Sequence, residues 1–378
     1  MSYIQKLRIL IAPLDWGLGH TTRCIPIIKF LIECKCTVII ASEGHCYNLL
    51  QTEFPTLQFL NLRGYRVRYT GNKRFLPIKM LCQLPKVLSI IVKEHKWLRK
   101  TITEHNIDAV ISDNRFGLWS EQVPSVFITH QLQIKGPNKW VEWILRRVNY
   151  QHINKYQVCW VPDYKHLPNL AGKLSHPRKL PLIPVEYLGP VSRFTVEKNP
   201  AFVYDVMFLI SGPEPQRTIL EQLVTRQLTH YTGRALIVRG LPGERDVSKG
   251  FNQVTIVNHL PAAEMATAIQ ASKFVVSRAG YTSIMDMTKL GKKCILIPTP
   301  GQTEQEYLAH HLQAQSICLA ADQQHFNLDN SLKAAADFNY LLPTYNMDSY
   351  KEVVGAWLQK LTPDKEHQAS TNTALQQV

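Results

Sequence analysis

Residues 275–311 read VVSRAGYTSIMDMTKLGKKCILIPTPGQTEQEYLAHH and combine strand, turn and helix signals in the order of a βαβα unit. A buried strand is predicted over Phe274–Ser277, and Arg278-Ala279-Gly280 turns the chain into a helix that begins near Tyr281. The first backbone N–H groups of such a helix have no partner within it and favour a phosphate. The unit therefore predicts an open α/β sheet with an anion site at a helix start.

The same unit contains a second helix start. Its first helix is expected to end near Gly291, since Gly is typical just after a helix and lysines suit its negative end. A strand over Cys294–Pro298 and the loop Thr299–Gln302 then lead to a helix that carries Thr303, Glu304, Gln305 and Glu306. The alternative is a generic αβ repeat in which these polar residues only cap helices.

The order of these motifs resembles a known family. A strand, SRAG, a helix with an acidic residue, Gly, a strand ending in Pro and then Q-x-x-Q-x-Y is similar to the donor-binding half of GT-B glycosyltransferases. The similarity is to the family 28 C-terminal domain, which includes the lipid II-forming N-acetylglucosaminyltransferase. It implies an α/β fold of two Rossmann-like domains that face each other across a cleft, with a C-terminal helix crossing back to the N-terminal domain.

The resemblance also implies a donor site. Asp286 falls where the family carries a Glu that holds the ribose hydroxyls, and Gln305 and Glu306 fall where the lipid II-forming member carries two sugar-contacting glutamines. Glu at the second position leaves the identity of the sugar open. Pro213 and Pro215 depart from the family's glycine-rich phosphate loop. The implied donor-binding residues are Arg193, Ser211, Gly212, His259, Leu260, Arg278, Gly280, Tyr281, Thr282, Ser283, Asp286, Gln302, Gln305 and Glu306.

The loop after the first predicted strand reads PLDWGLGHTT over 13–22. Its two glycines let the backbone turn tightly beside a ligand. A dinucleotide-binding loop would have a third Gly and an acid about twenty residues further on, and His20 interrupts that pattern. The loop instead resembles the glycine-rich first loop of GT-B enzymes, which ends in His near the acceptor. The expected acceptor-side residues are Asp15, Trp16, Gly17, Gly19 and, after a later strand, His130.

His20 is the candidate general base. An acceptor hydroxyl must lose its proton as it attacks the anomeric carbon, and an imidazole that titrates near neutrality suits that task. Asp113 follows a predicted strand and resembles the Asp that supports the catalytic His in plant-type GT-B enzymes. Asp15, on the same loop as His20, is the alternative partner. In the other interpretation His20 only positions substrate, and Asp113 caps a helix.

We expect no metal ion and no other cofactor, because the loops of this cleft carry no D-x-D pair. Helix starts, Arg193 and Arg278 are expected to neutralise the departing diphosphate, as in metal-independent GT-B transferases. Arg278 has a structural alternative, in which it pairs with a neighbouring acid.

Length and composition agree with two domains. The chain has 378 residues, 45% of them hydrophobic and 19% charged, which is enough to bury two cores. It has no run of about 18 apolar residues, its N-terminus leads directly into a strand, and its eight cysteines form no CxxC pair, so a cytoplasmic protein is expected. The expected division is an acceptor domain over 1–190, a donor domain over 191–345, a returning helix over 346–362 and a frayed tail over 363–378.

The net charge of +14 is concentrated in one segment. Residues 63–100 contain eleven Lys or Arg against a single acid, Glu94, with aromatic and aliphatic residues between them. Such a surface fits an anionic membrane at the inner face of the plasma membrane. A single-stranded nucleic-acid groove and a solvated face without a partner are the alternatives, and no nucleic-acid-binding motif favours the first of these.

These features predict a glycosyltransferase that moves a sugar from a nucleotide sugar, with UDP favoured, to a hydroxyl acceptor. The resemblance implies inversion and independence of metal, and the basic segment suggests a lipid-linked acceptor. One alternative is a GT-B sugar-nucleotide epimerase or hydrolase, which would lack an acceptor surface. Another is a noncatalytic nucleotide-sugar-binding subunit at a membrane.

Overall fold

The structure is a computed structural model that describes residues 6–66, 76–197, 201–241 and 249–361. The expected frayed tail lies outside the described residues, as do residues 67–75 of the basic segment. In the described part of the chain, no helix is long and apolar enough to cross a membrane.

The first half of the chain forms one parallel sheet of seven strands, in the order β3-β2-β1-β4-β5-β6-β7. Its strands are β1 Arg8–Pro13, β2 Thr37–Ser42, β3 Gln58–Asn61, β4 Ala109–Asp113, β5 Ser125–Ile128, β6 Val158–Val161 and β7 Val185–Tyr187. The central strands are buried apolar runs, as expected where helices cover both faces. The strand order reverses between β1 and β4, the position at which such sheets bind ligands.

Four helices flank this sheet: α1 Leu18–Glu33, α2 Gly44–Glu53, α3 Leu76–His105 and α4 Lys139–Ile153. The sequence pattern predicts an amphipathic helix over Pro85–His105; the observed α3 begins earlier, at Leu76, and carries Pro85 inside it. Helix α4 was not predicted. Asn138 defines its start, because the Asn138 side chain accepts hydrogen bonds from the N–H groups of Trp140 and Val141.

The sequence pattern also predicts a short helix over Gly117–Glu121, but the structure contains no helix there. The Ser120 hydroxyl accepts hydrogen bonds from the backbone N–H groups of Gln122 and Val123, and Glu94 accepts one from Gly117. These side chains take the backbone donors that a helix would use, so the segment turns instead.

The second half forms another seven-stranded sheet, in the order β10-β11-β9-β8-β12-β13-β14, in which only the edge strand β10 is antiparallel. Its strands are β8 Tyr204–Leu209, β9 Ala235–Val238, β10 Lys249–Phe251, β11 Val254–Val257, β12 Ser272–Ser277, β13 Cys294–Leu296 and β14 Leu319–Ala320. Its helices are α5 Gln216–Leu228, α6 Ala262–Gln270, α7 Tyr281–Lys289, α8 Thr303–Ala314 and α9 Leu328–Asp337. The order reverses between β8 and β12, which places a second ligand position after those strands.

The last described helix, α10 Ser349–Leu361, packs on the first half of the chain. Trp357 lies edge-on to Trp160 of β6 with ring centroids 5.3 Å apart, and the Ser349 hydroxyl donates to the carbonyl of Leu188. The core of the first sheet includes Tyr350, Val354 and Trp357. Two Rossmann-like sheets with helices on both faces confirm the predicted fold class.

Candidate active site

The loop after β1 is fixed by contacts of its side chains with Tyr65 and Arg66. Asp15 accepts hydrogen bonds from the N–H groups of Tyr65 at 2.9 Å and Arg66 at 3.0 Å, and Trp16 stands edge-on to the Tyr65 ring. Gly17 has φ +91°, a conformation that favours glycine, and ends the loop where α1 begins. The Asp15 carboxylate therefore stabilises the conformation of this loop. The alternative in which Asp15 pairs with His20 is wrong.

His20 instead contacts Asp113. Its Nδ1 lies 3.0 Å from Asp113 Oδ1, because β1 and β4 are adjacent and their ends are in register at Pro13 and Asp113. Asp113 is fully buried, whereas 15% of the His20 side chain is exposed. The Nδ1 atom of His20 is thus held by the buried Asp113, while part of the imidazole ring is exposed at the surface of the cleft.

Sequence reasoning missed Arg23, one helical turn after His20. Its guanidinium is 2% exposed and contacts both carboxylate oxygens of Asp113, with Nε 2.6 Å from Oδ2. Its other edge lies 2.9 Å from His20 Nδ1 and 3.2 Å from His130 Nδ1. The spacing of three residues from His20 on one helix face was the available signal.

These contacts shift the ionisation of the pair. Burial and the Arg23 charge lower the pKa of His20, against the opposing effect of Asp113. Burial alone would raise the pKa of Asp113, but Arg23 and His20 hold it well below its ordinary range. At neutral pH the site therefore contains an ionised Asp113 beside a neutral imidazole.

Helix α7 starts directly opposite His20. Its N-cap is Gly280, which has no side chain to occupy the first N–H groups of the helix. The Thr282 hydroxyl donates to the Gly19 carbonyl at 3.0 Å, and a Cβ at Gly19 would lie only 3.0 Å from that hydroxyl. Glycine at 19 thus allows the predicted diphosphate site and the acceptor loop to meet across the cleft. Ser283, in the same turn, is half-buried.

Tyr281 and His130 join the two walls. Their rings stack at 4.2 Å with an interplanar angle of 7°, and the Tyr281 hydroxyl donates to the carbonyl of Pro162. His130 Nε2 lies 2.7 Å from Glu304 Oε1 of α8. The Tyr281 side chain is therefore committed to the interface between the domains, and only its backbone N–H is left for the predicted anion contact.

Arg278 does not face the cleft. It is 1% exposed, and its guanidinium donates to the carbonyls of Gln216, Ile297 and Pro298. Burial lowers its pKa to about 10. The expectation that Arg278 neutralises a diphosphate is wrong, because its guanidinium is buried away from the cleft and both of its Nη atoms donate to backbone carbonyls. The same contacts replace the predicted pairing with an acid.

Asp286 lies against the segment that joins the domains. Its Oδ1 accepts a hydrogen bond from Ser192 at 2.5 Å, only 8% of the residue is exposed, and burial raises its pKa to about 6. Arg193 is half-buried over the Phe194 ring, and burial lowers its pKa. Contact of Asp286 with ribose hydroxyls would have to use its Oδ2 or take the place of Ser192 at Oδ1.

The sugar-side residues of α8 fold back on their own loop. Gln305 accepts from the N–H of Thr299, and Glu306 accepts from the N–H of Gly301, both at 2.8 Å. Gln302 is the N-cap residue of α8 and uses no side-chain oxygen as a cap. The structure thus brings Gln302, Gln305 and Glu306 to one loop after β13. The side chains of Gln305 and Glu306 hold the backbone of that loop in place.

The remaining predicted donor residues follow other strands of the same sheet. Ser211 and Gly212 follow β8, and Gly212 is exposed with φ +109°. His259 and Leu260 follow β11 and are half-buried, next to Asn258, which accepts from Arg239 at 2.9 Å. Since the carboxyl ends of parallel strands lie on one edge, these loops and the start of α7 border one ligand position. Within the described ranges, no group of three His, Cys, Asp or Glu side chains converges to hold a metal ion.

Comparison with known proteins finds a family match in the second half of the chain. The family model for the glycosyltransferase family 28 C-terminal domain matches residues 216–348. A relative from Buchnera aphidicola subsp. Schizaphis graminum is 21% identical over 292 residues, 75% of each chain. Its name is UDP-N-acetylglucosamine--N-acetylmuramyl-(pentapeptide) pyrophosphoryl-undecaprenol N-acetylglucosamine transferase.

Two solved structures share the whole fold. The glycosyltransferase of kitacinnamycin has a TM-score of 0.64 at 13% identity and covers 95% of this chain and 100% of its own. UGT2 of Phytolacca americana, complexed with UDP-2-fluoro-glucose and pterostilbene, has a TM-score of 0.58 at 13% identity and covers 96% and 94%. At this identity the likeness establishes the fold, and it confirms the predicted GT-B arrangement.

Proposed function

We propose that this chain, a glycosyltransferase of the GT-B fold whose residues 216–348 form a family 28 C-terminal domain, transfers the sugar of a UDP-sugar to a hydroxyl acceptor with inversion. The observation that carries the proposal is the contact between Thr282 and Gly19 at 3.0 Å. It sets the start of α7, an anion site by its backbone chemistry, beside the first turn of α1, which carries His20.

The proposed reaction is a single displacement. His20 Nε2 takes the proton of the acceptor hydroxyl as the hydroxyl oxygen bonds to the anomeric carbon. The bond from that carbon to the diphosphate oxygen breaks, and the electron pair leaves with the UDP. Attack from the face opposite the leaving group inverts the anomeric centre. Asp113 holds Nδ1 and stabilises the imidazolium that forms.

The N-terminus of α7 is the proposed counter-charge for the leaving diphosphate. Its backbone N–H groups and helix dipole favour negative charge where the bond to the sugar breaks. Neither needs a metal ion, so we propose a metal-independent transfer. The choice of UDP rests on the donor named for the Buchnera relative and on the UDP-sugar bound to the plant structure.

A lipid-linked acceptor at an anionic membrane is the further part of this proposal. Helix α4 exposes Trp140 at 72%, together with Trp143, Ile144 and Val148, on a surface that also carries Lys139 and Arg147. A cavity of about 420 Å³ beside this helix is lined by Arg146, Arg147 and Lys179. Apolar side chains beside cations suit a membrane interface with anionic headgroups.

Helix α3 lies on the same flank. His95 of α3 stacks on Trp119 at 4.0 Å, and Lys155, just after α4, lies 5.1 Å from the same ring. Along α3 the exposed Leu84, Leu88 and Val92 recur every four residues. Glu94, the single acid of the basic segment, is buried in an ion pair with Arg115, which leaves the outer face without its charge.

The function is tested by incubating the protein with a panel of UDP- and GDP-sugars and measuring nucleotide release with and without lipid-linked acceptors. We expect release of UDP that depends on an acceptor, persists with a chelator and gives a product of inverted anomeric configuration by NMR. Release without an acceptor would indicate a hydrolase. Binding without turnover would indicate a noncatalytic subunit, and loss of activity with the chelator would overturn metal independence.

A further inference from the structure

A continuous line of side chains connects the candidate base to the other domain. It runs from His20 through Asp113 and Arg23 to His130, and from His130 to Glu304 at the start of α8. His20 and Arg23 lie on α1, Asp113 ends β4, and His130 follows β5, so only Glu304 comes from the donor domain. Asp113, Arg23 and His130 are buried, whereas the Glu304 side chain is 32% exposed.

The chemistry of this line fixes the proton positions on His130. A guanidinium can only donate, so His130 Nδ1, 3.2 Å from Arg23 Nη1, must be the acceptor. The proton of a neutral His130 is then on Nε2, which donates to Glu304 Oε1 at 2.7 Å. Glu304 thus holds the His130 tautomer that in turn holds Arg23.

At His20 two neighbours compete for the same nitrogen. Nδ1 lies 3.0 Å from Asp113 Oδ1, which can only accept, and 2.9 Å from Arg23 Nη2, which can only donate. A proton on Nδ1 leaves Nε2 free to act as a base. If Nδ1 accepts from Arg23 instead, Nε2 carries the proton and cannot remove one from an acceptor. The placement of Arg23 therefore decides whether His20 is competent.

We propose that Glu304 and His130 are positioning residues for the transfer: when the two domains close, Glu304 engages His130, which anchors Arg23 and leaves His20 in the tautomer with its proton on Nδ1. Chemistry would then be switched on only in the closed cleft, in which an acceptor and a donor are both enclosed. The proposal rests on the proposed role of His20 as base.

The charged and titratable groups that surround this line of side chains lie on α1, on α7, on α8 and after β5. Arg23 and Cys24 face Asp113 from α1, and His130 and Glu304 close the far side. Tyr281 of α7 covers His130 as an uncharged ring, since burial raises its pKa well above the ordinary value. Burial would raise the pKa of Glu304, but its hydrogen bond to His130 and the charge interactions with His130, His20 and Arg23 together outweigh burial and lower it, so Glu304 is ionised at neutral pH.

The test compares Glu304→Gln and Glu304→Ala with Thr303→Val in the full-length protein with UDP bound. Thr303 donates to the Lys135 carbonyl at 3.0 Å, so its variant loses a hydrogen bond between the domains without touching the line of side chains. ¹⁵N-histidine NMR reports the His20 tautomer, and His20→Asn identifies the signal. Initial rates over a range of pH give kcat and the donor KM.

We expect Glu304→Ala to mix the two His20 tautomers and to lower kcat about tenfold, with little change in donor KM. Glu304→Gln keeps an oxygen that accepts from His130 but loses the charge. It should retain most of the wild-type tautomer and move the acid limb of the kcat profile to lower pH. Thr303→Val should keep both the tautomer and the acid limb of the wild type.

An unchanged His20 tautomer in both Glu304 variants would overturn the proposal, whether or not the enzyme is active. Equal effects of the Thr303 and Glu304 variants would also overturn it, because that would reduce Glu304 to a general interface contact. If the tautomer responds but the wild-type protein transfers no sugar, the proposed function fails while the coupling itself stands.

Discussion

At the scale of single residues, the sequence predicted the contact between His20 and Asp113 but not the other side chains that join it. His20 lies just after a glycine-rich loop and Asp113 at a strand end, and both positions follow from local patterns. Arg23 and Glu304 contribute to the same cluster through contacts that span 90 and 174 residues of sequence. Arg278 was expected to neutralise the diphosphate, but its guanidinium is buried and both of its Nη atoms donate to carbonyls of Gln216, Ile297 and Pro298. Pairings of this kind depend on tertiary packing, which a local pattern does not contain.

Asp286 gives a prediction at this scale. Its folded-state pKa of about 6 is above the ordinary 3.8, so the folded protein binds its proton more tightly than the unfolded chain. Its ionisation therefore costs stability as pH rises from about 4 to about 6, and the cost persists above that range. Asp286→Asn keeps an oxygen that accepts from Ser192 and does not ionise. We expect it to raise the free energy of unfolding by about 3 kcal/mol near pH 7.5 and by close to nothing near pH 4.

Denaturant unfolding at both pH values measures this difference. Asp205→Asn is the matched control of opposite sign, because the hydrogen bond from Lys273 lowers the pKa of Asp205. Its carboxylate stabilises the folded state above the ordinary pKa, so the control should be less stable than the wild type near pH 7.5. Equal stability of Asp286→Asn and the wild type near pH 7.5 would contradict the account. The same variant is expected to bind donor more weakly if Asp286 reaches the ribose.

At the scale of elements, predictions succeeded where an apolar run and a turn signal coincide. The strand over Cys294–Pro298 and the helix that begins near Tyr281 were of this kind, and the structure contains β13 and α7 at those places. Helix α4 was missed although its sequence is amphipathic, and its tryptophans and aliphatic residues lie on the exposed face, where polar residues are usual. The helix predicted over Gly117–Glu121 failed because Ser120 and Glu94 take its backbone donors.

The exposed face of α4 predicts binding to anionic vesicles. Trp140→Ala/Trp143→Ala removes the two largest apolar side chains of that face, and we expect at least about tenfold weaker binding to vesicles that contain phosphatidylglycerol. Phe202→Ala/Leu341→Ala removes two exposed apolar side chains from the donor half of the chain and should bind as the wild type does. Vesicle co-sedimentation measures both. Equal binding by all three proteins, or no preference for anionic over neutral lipid, would contradict the membrane assignment.

At the scale of the whole molecule, the two sheets meet where each one reverses its strand order. The reversal between β1 and β4 carries His20 and Asp113, and the reversal between β8 and β12 carries Gly212 and the start of α7. Two such domains follow from the alternation of strands and helices and from the family resemblance. The contact between Thr282 and Gly19 does not, because it depends on how far the cleft is closed. The sequence thus predicts both walls of the site, and the structure adds how they touch.

The central claim is that His20 acts on the acceptor and does not hold the donor. The most direct test measures turnover and donor affinity of His20→Asn, with the exposed His45→Asn on α2 as the control. The account predicts that kcat falls by roughly a thousandfold while the dissociation constant of the UDP-sugar changes by less than about threefold, and that the control matches the wild type. Unchanged turnover, or a loss confined to donor affinity, would contradict it.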